Sequence, residues 1–185
     1  PPDWSISVVF APGQRERTID WPGGAGPCLG VADNEIADPT PIRRYSLMML
    51  VAPADARVPE TGRYHTVSVI DDDATAPAYA VGAYGYPAAF YVREGTDNDF
   101  TVPVLRAGPV DTAVDVTCKG ESYSYSATPG VDYTPQIVTA SFAVNNRLAK
   151  CVFELPNDGE VEQTESAYIE VSRTGGWIGS VSISI

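Results

Sequence analysis

The sequence has few of the residues on which zinc sites and histidine-based catalysis depend. It contains one histidine, His65, and three cysteines, and no two cysteines have Cys-x-x-Cys spacing. A zinc site is therefore not expected, since such sites need several clustered cysteine or histidine ligands. A Gly-x-Ser-x-Gly elbow, a His-Glu-x-x-His pair and a phosphate-binding loop are also missing. We predict that the protein is not an enzyme.

Basic residues are scarce as well. Twelve lysines and arginines stand against 24 aspartates and glutamates, which gives a formal net charge of −12 and a pI of about 4.3. Such a surface repels nucleic acid and anionic membranes, so neither is expected as a partner. No apolar run approaches the length of a membrane span, and membrane insertion is not expected. The acidic surface either serves solubility or attracts cations, and acids clustered in loops beside strand ends favour cations.

The distribution of glycine and proline leaves little room for helices and predicts an all-β protein. Sixteen of each are spread along the chain, as in proteins of short strands joined by turns. Hydrophobic residues make up 44% of the sequence, which is too many for a disordered chain. Alternation of apolar and polar residues predicts strands at Trp4–Phe10, Arg63–Ile70 and Leu148–Leu155, and two further strands are predicted at Arg15–Trp21, which is charged on one face, and at Arg43–Val51.

One stretch, Thr128–Tyr168, is more specific than the rest. It begins with Gly-x-Asp-Tyr, continues as an alternating run that ends in phenylalanine, and makes a polar turn into a second alternating run. An acidic loop and a further aromatic residue follow; these features are Gly130–Tyr133, Phe142, Asn145-Asn146, Leu148–Leu155, Asn157–Glu165 and Tyr168. This pattern resembles the Calx-beta domain.

The first half of the chain repeats part of this pattern. The segment Phe10–Arg15 matches Phe142–Arg147 at one offset, and Asp33-Asn34 aligns with Asn157-Asp158 after a longer loop. The resemblance implies tandem antiparallel immunoglobulin-like β-sandwiches, the first of them incomplete. We expect the C-terminal part of one sandwich at residues 1–73, a linker at 74–86 and a second sandwich at 87–185.

The resemblance also implies calcium ligands at one end of each sandwich. Calcium takes six to eight oxygens, mostly from carboxylates and carbonyls in loops. The alternative is that these acids are solvated turn residues. Carried over by position, the ligands of the second copy are Glu94, Asp132, Asn157, Asp158 and Glu162, and those of the first copy are Asp33, Asn34, the Ile36 carbonyl, Asp38, Asp71, Asp72 and Asp73.

Two of the cysteines fall on inward faces of predicted strands. Cys118 follows Val114 and Val116 at a period of two, and Cys151 alternates in the same way within its run. The Calx-beta fold makes the two strands neighbours, which implies a disulfide in an oxidising compartment; two buried thiols are the alternative. Cys28 is then left over.

The function implied is that of a secreted, extracellular structural or adhesion protein in a calcium-dependent scaffold, similar among Calx-beta proteins to a core or ring subunit of a sponge aggregation factor. The alternative is a calcium-sensing regulatory module of a larger membrane or intracellular protein. Because an incomplete sandwich leaves strand edges open, we expect other protein chains, either like chains or fragments of the same precursor, to complete the first copy. The rival explanation is that upstream residues of the same chain supply the missing strands. Glycan is a further expected partner.

Overall fold

The structure is a computed structural model that describes residues 35–48, 64–82, 90–95, 97–123, 126–157, 159 and 163–185. Apart from Glu35, these residues belong to one compact unit, Ile36–Ile185. The predicted strands Trp4–Phe10 and Arg15–Trp21 lie outside the described residues, as does Cys28. No helix in the described ranges is long and apolar enough to cross a membrane.

The described residues form ten strands and confirm the prediction of an all-β protein. The strands are short because turn residues interrupt every alternating run. Their bounds are β1 Ile42–Met48, β2 Tyr64–Ile70, β3 Ala78–Val81, β4 Phe90–Tyr91, β5 Asp99–Ala107, β6 Val114–Glu121, β7 Ile137–Phe142, β8 Leu148–Glu154, β9 Ser166–Arg173 and β10 Gly176–Ser184.

Two sheets pack face to face as an immunoglobulin-like sandwich. One sheet has the order β4-β10-β9-β6-β7 and the other the order β3-β5-β8, and all but the β4–β10 pair are antiparallel. In β8, buried residues alternate strictly with exposed ones, so every second side chain enters the core. The inward side chains of both sheets form one hydrophobic cluster that includes Phe100, Phe142, Phe153 and Ile169.

The strands of this sandwich run between two ends. At one end, β5 begins and β8 finishes, since Asp99 is paired with Glu154; we call this the Glu94 end, because the turn at Glu94 precedes β5. At the other end, Leu105 of β5 is paired with Leu148 of β8, and the loop at residues 108–113 leads from β5 to β6. We call this the Arg106 end.

Strand β3 lies within the segment that the sequence analysis assigned to a linker, residues 74–86. Its four residues pair with the last part of β5, from Ala78 opposite Ala107 to Val81 opposite Val104. Val81 is buried in the core, and a Cβ on Gly179 of β10 would lie 2.9 Å from its Cγ2 atom. Residues 78–81 are therefore an edge strand of the second sandwich rather than linker.

Strands β1 and β2 form a separate two-stranded antiparallel sheet in the region assigned to the first copy. The strands predicted at Arg43–Val51 and Arg63–Ile70 are confirmed over residues 43–48 and 64–70, and residues 49–51 and 63 lie outside the described residues. The Arg44 guanidinium donates a hydrogen bond to the Val81 carbonyl and so connects this sheet to β3. Desolvation lowers the pKa of Arg44.

The predicted disulfide between Cys118 and Cys151 is present. However, the two strands are not neighbours in one sheet, as the family resemblance suggested. Cys118 lies on β6 of the five-stranded sheet and Cys151 on β8 of the three-stranded sheet, with their Cα atoms 6.3 Å apart. The bond therefore connects the two sheets through the core, where both residues are fully buried.

Arg106 is a buried cation whose described partners are backbone carbonyls. It is 1% exposed, and its Nε and Nη1 atoms donate to the carbonyls of Pro109 and Thr112 at 2.9 and 2.8 Å. Its guanidinium carbon lies 5.8 Å from the centre of the Phe142 ring. These contacts hold the loop that follows β5 against the core.

We expect Arg106→Met to lower the free energy of unfolding by about 2 kcal/mol, because hydrogen bonds from a charged group are lost while the apolar stem is kept. Urea denaturation measures this loss. Arg147→Met is the matched control, since half-buried Arg147 donates one hydrogen bond, to Gly108, and should cost less than about 1 kcal/mol. Equal losses in the two variants would show that burial of Arg106 adds nothing.

Candidate metal centre

Three consecutive aspartates follow directly after β2. Asp71 and Asp73 are half-buried and Asp72 is exposed, and one carboxylate oxygen from each lies within 4.8 Å of the others. Calcium–oxygen distances of about 2.3–2.6 Å allow two ligands of one ion to be up to about 5 Å apart. Asp71, Asp72 and Asp73 therefore fit a calcium ion in both spacing and ligand chemistry.

Hydrogen bonds hold Asp71, the first aspartate of this group, in place. Its Oδ2 accepts from the backbone N–H of Asp38 at 2.5 Å, and its Oδ1 accepts from the N–H of Asp73 at 2.9 Å. Its own N–H donates to the Pro41 carbonyl at 2.8 Å. Asp71 thus ties the segment before β1 to the residues after β2, and each of its oxygens keeps a further lone pair for a cation.

Asp38 is brought to the same place but already has a cationic partner. Its Oδ1 accepts from the Thr40 N–H at 2.8 Å, and its Oδ2 forms an ion pair with Arg43. The Thr40 hydrogen bond and then the Arg43 guanidinium hold the pKa of this carboxyl below its usual value. Calcium coordination by Asp38 would require Oδ2 to leave Arg43 or to bind both partners.

Three segments that carry predicted ligands of the second copy, Glu94, Asp132 and Asn157, lie at the Glu94 end. A Cβ on Gly95 would lie 3.1 Å from the Asn157 Nδ2 atom, so the turn that contains Glu94 contacts the loop after β8. Asp132 is in a third segment at this end, because its neighbour Thr134 exchanges backbone hydrogen bonds with Glu154 at 2.9 and 2.6 Å. Three chain segments with oxygen ligands therefore converge here.

The individual atoms at this end are engaged in local contacts. Asp132 Oδ2 accepts from the Thr128 N–H at 2.5 Å, and Asn157 Oδ1 accepts from the Gly159 N–H at 3.1 Å. Asp132 and Glu94 are half-buried, and Asn157 is exposed. Carboxylate and amide oxygens are suitable calcium ligands, and each of these oxygens retains a lone pair.

The described residues thus contain two of the predicted groups in part. The backbone N–H of Asp38 donates to Asp71 of the Asp71–Asp73 group, and Ile36, two residues before Asp38, is 68% exposed. The remaining predicted ligands, Asp33, Asn34, Asp158 and Glu162, lie outside the described residues.

Arg43 belongs to the first group through its ion pair with Asp38, and it was not among the predicted site residues. Arg43 lies near the start of β1, and strand geometry brings it to the carboxylate five residues earlier in the chain. A basic residue just inside a strand that follows an acidic loop is the signal that would have identified it.

Neither a protein-family model nor a curated protein sequence matches the chain. Among solved structures, the chain is similar to the apo form of the Calx CBD1 domain, with 20% identity, a TM-score of 0.47, and coverage of 59% of this chain and 95% of that one. It is also similar to the calcium binding domain CBD12 of CALX1.1, with 21% identity, a TM-score of 0.46, and coverage of 58% and 44%. For the Calx CBD2 domain, the corresponding values are 18%, 0.42, 51% and 54%.

Proposed function

We propose that this chain is a calcium-binding β-sandwich module. The observation that supports the proposal is the group of three carboxylates at Asp71, Asp72 and Asp73, whose oxygens are spaced for one ion. Like charges held this close repel each other, and a bound cation would offset that cost. When bound, calcium would supply positive charge that holds these loops together; the Asp38 backbone N–H already donates to Asp71, while the Asp38 carboxylate is paired with Arg43.

We expect calcium to stabilise the protein against heat. At a calcium concentration about 100 times the dissociation constant, linkage adds about 2.7 kcal/mol to the free energy of unfolding. The measurement compares the melting midpoint in chelator with that in millimolar calcium. Magnesium at the same concentration serves as the control and should give a smaller shift, because it demands smaller, near-octahedral geometry. Identical midpoints in chelator and calcium would refute the proposal.

Asp72→Asn tests which carboxylates are responsible. Asp72 is exposed, so its replacement should leave the fold intact and weaken calcium binding by about tenfold or more through loss of a charged ligand. Asp111→Asn is the matched control, since Asp111 is an exposed acid in the loop after β5, outside both ligand groups. Calorimetric titration of both variants separates a specific ligand from the general effect of one negative charge.

The disulfide favours a second, more specific proposal about where the module works. Disulfides persist in oxidising compartments, so the Cys118–Cys151 bond supports an extracellular location. The function proposed with that location is that of a secreted structural or adhesive scaffold protein. A regulatory module inside the cell would keep both residues as thiols. Peptide mapping of the natively expressed protein without reduction distinguishes the two. Alkylation of both cysteines would leave the calcium-sensing module as the better proposal.

The partners remain part of this second proposal. Other chains, either like chains or fragments of the same precursor, would complete the first copy, and glycan is a further proposed partner. The mass of the native particle with and without chelator tests assembly, because a calcium-dependent scaffold should dissociate when calcium is removed. The finer assignment to a sponge aggregation factor stays a prediction.

A further inference from the structure

Tyr133 is buried at the Glu94 end of the sandwich core. It is fully buried, and its ring meets those of Phe100 and Phe153 edge to face, with centroids 5.7 and 5.9 Å away. Those two rings stack on each other at 5.0 Å. Phe100 and Phe153 come from paired strands, whereas Tyr133 comes from a loop. The loop residue is therefore held by the framework of the three-stranded sheet.

The hydroxyl end of the Tyr133 ring rests on Gly120 of β6. A Cβ on Gly120 would lie 2.4 Å from the Tyr133 hydroxyl oxygen and 2.7 Å from its Cε2 atom. With Tyr133 in place, therefore, no residue larger than glycine fits at this position of the strand. The hydroxyl has no hydrogen-bond partner among the described residues. Burial, with smaller contributions from Glu121 and Asp132, raises the pKa of Tyr133 to about 12. The hydroxyl therefore fills space and does not titrate near neutral pH.

The backbone next to the buried Tyr133 side chain forms a tight loop over residues 128–133. The N–H of Asp132 donates to the Thr128 carbonyl at 3.0 Å, and the N–H of Gly130 donates to the Tyr133 carbonyl at 2.7 Å. The Asp132 carboxylate closes the loop by accepting from the Thr128 N–H. Every one of these hydrogen bonds depends on where the backbone of residues 132 and 133 is held.

We propose that Tyr133, seated between Gly120 and the Phe100–Phe153 pair, is a positioning residue that holds Asp132 in place at the Glu94 end. The calcium part of this role rests on the proposed function and on a second ion at the Glu94 end in addition to the one at Asp71, Asp72 and Asp73, whereas the ordering of the loop depends on neither. A buried ring one residue away from a candidate ligand limits the positions that the carboxylate can reach. Groups that orient metal ligands typically change metal affinity by about 10- to 100-fold when they are removed.

The first test is amide hydrogen exchange of the full chain carrying Tyr133→Leu. We expect the amides of Thr128, Gly130 and Asp132 to exchange about tenfold faster relative to amides in β5 and β8, because the loop opens while the strands stay paired. Phe142→Leu is the matched control, since Phe142 is equally buried in the same core but lies at the Arg106 end. The same relative rates in both variants would overturn the proposal.

Two further variants keep the test decisive. Tyr133→Phe keeps the ring and loses no hydrogen bond, so its loop should exchange as in the unaltered protein. If Tyr133→Leu fails to fold, Gly120→Ala replaces it, because the added Cβ displaces the ring and should raise exchange at the same three amides. Unchanged loop exchange in folded Gly120→Ala would overturn the proposal equally.

Calcium titration forms the second arm. We expect Tyr133→Leu to weaken binding at the Glu94 end by about tenfold, and Tyr133→Phe and Phe142→Leu to leave it unchanged. A chain that binds no calcium refutes the proposed function, and the exchange experiment then still decides whether Tyr133 orders the loop. The chain could instead bind a single calcium ion, with binding that Asp72→Asn abolishes and Tyr133→Leu leaves unchanged. That result would overturn the role of Tyr133 in positioning a metal ligand.

Discussion

Replacing both bonded cysteines by alanine, Cys118→Ala with Cys151→Ala, is expected to lower the free energy of unfolding by about 4 kcal/mol. The bond closes a loop with a sequence separation of 33 residues. In the chain-entropy description, such a closure removes about 4 kcal/mol of conformational freedom from the unfolded chain. Because the bond joins the two sheets through the core, its loss also frees one sheet to move against the other. Urea denaturation of the oxidised proteins measures the difference.

The effect must come from this bond and not from the third cysteine. Cys28→Ala is the matched control, and its stability should still fall when a reductant is added. The double variant should show the same denaturation midpoint with and without reductant. If reductant does not change the denaturation midpoint of the unaltered protein, Cys118 and Cys151 are thiols. The support for an extracellular setting would then be lost.

The strands with clean alternation could be predicted from the sequence. In β8, Ala149, Cys151 and Phe153 point into the core and the residues between them face solvent, as the period of two requires. Strand β3 could not be predicted in this way. Its sequence Ala-Tyr-Ala-Val is short and small, and it becomes a strand because β5 offers an edge and Gly82 allows close approach to Pro103. Both causes are remote in sequence.

The candidate site shows the same division between local and remote causes. Asp71, Asp72 and Asp73 could be predicted as a group because they are adjacent in the chain, so any compact turn brings their oxygens together. The ion pair of Arg43 with Asp38 and the contact of Gly95 with Asn157 depend on strand register and loop path. Contacts of that kind form only after distant segments have paired, so a local sequence pattern does not predict them.

Gly108→Ala is the second change with a large expected effect, because two separate costs meet at this residue. Gly108 has a φ of +81°, a conformation that costs other residues about 1 kcal/mol or more. An added Cβ would also lie 2.4 Å from the Ala76 carbonyl oxygen and 2.8 Å from its carbon. Those are backbone atoms that cannot rotate away, so overpacking adds about 1–3 kcal/mol. We expect a total loss of about 2–5 kcal/mol in urea denaturation.

Gly175→Ala separates the two costs. Gly175 has a φ of +93° in the turn between β9 and β10, and among the described residues the only atom within 4 Å of its added Cβ would be the end of the Arg173 side chain at 3.9 Å. It should therefore show the conformational cost alone, about 1 kcal/mol. Since Ala76 is three residues after Asp73, Gly108→Ala should also weaken the stabilisation by calcium, and Gly175→Ala should not. Equal losses of stability in the two variants would mean that the segment after the aspartates does not pack against the loop at Gly108, and the aspartates would then lack this support from the second sandwich.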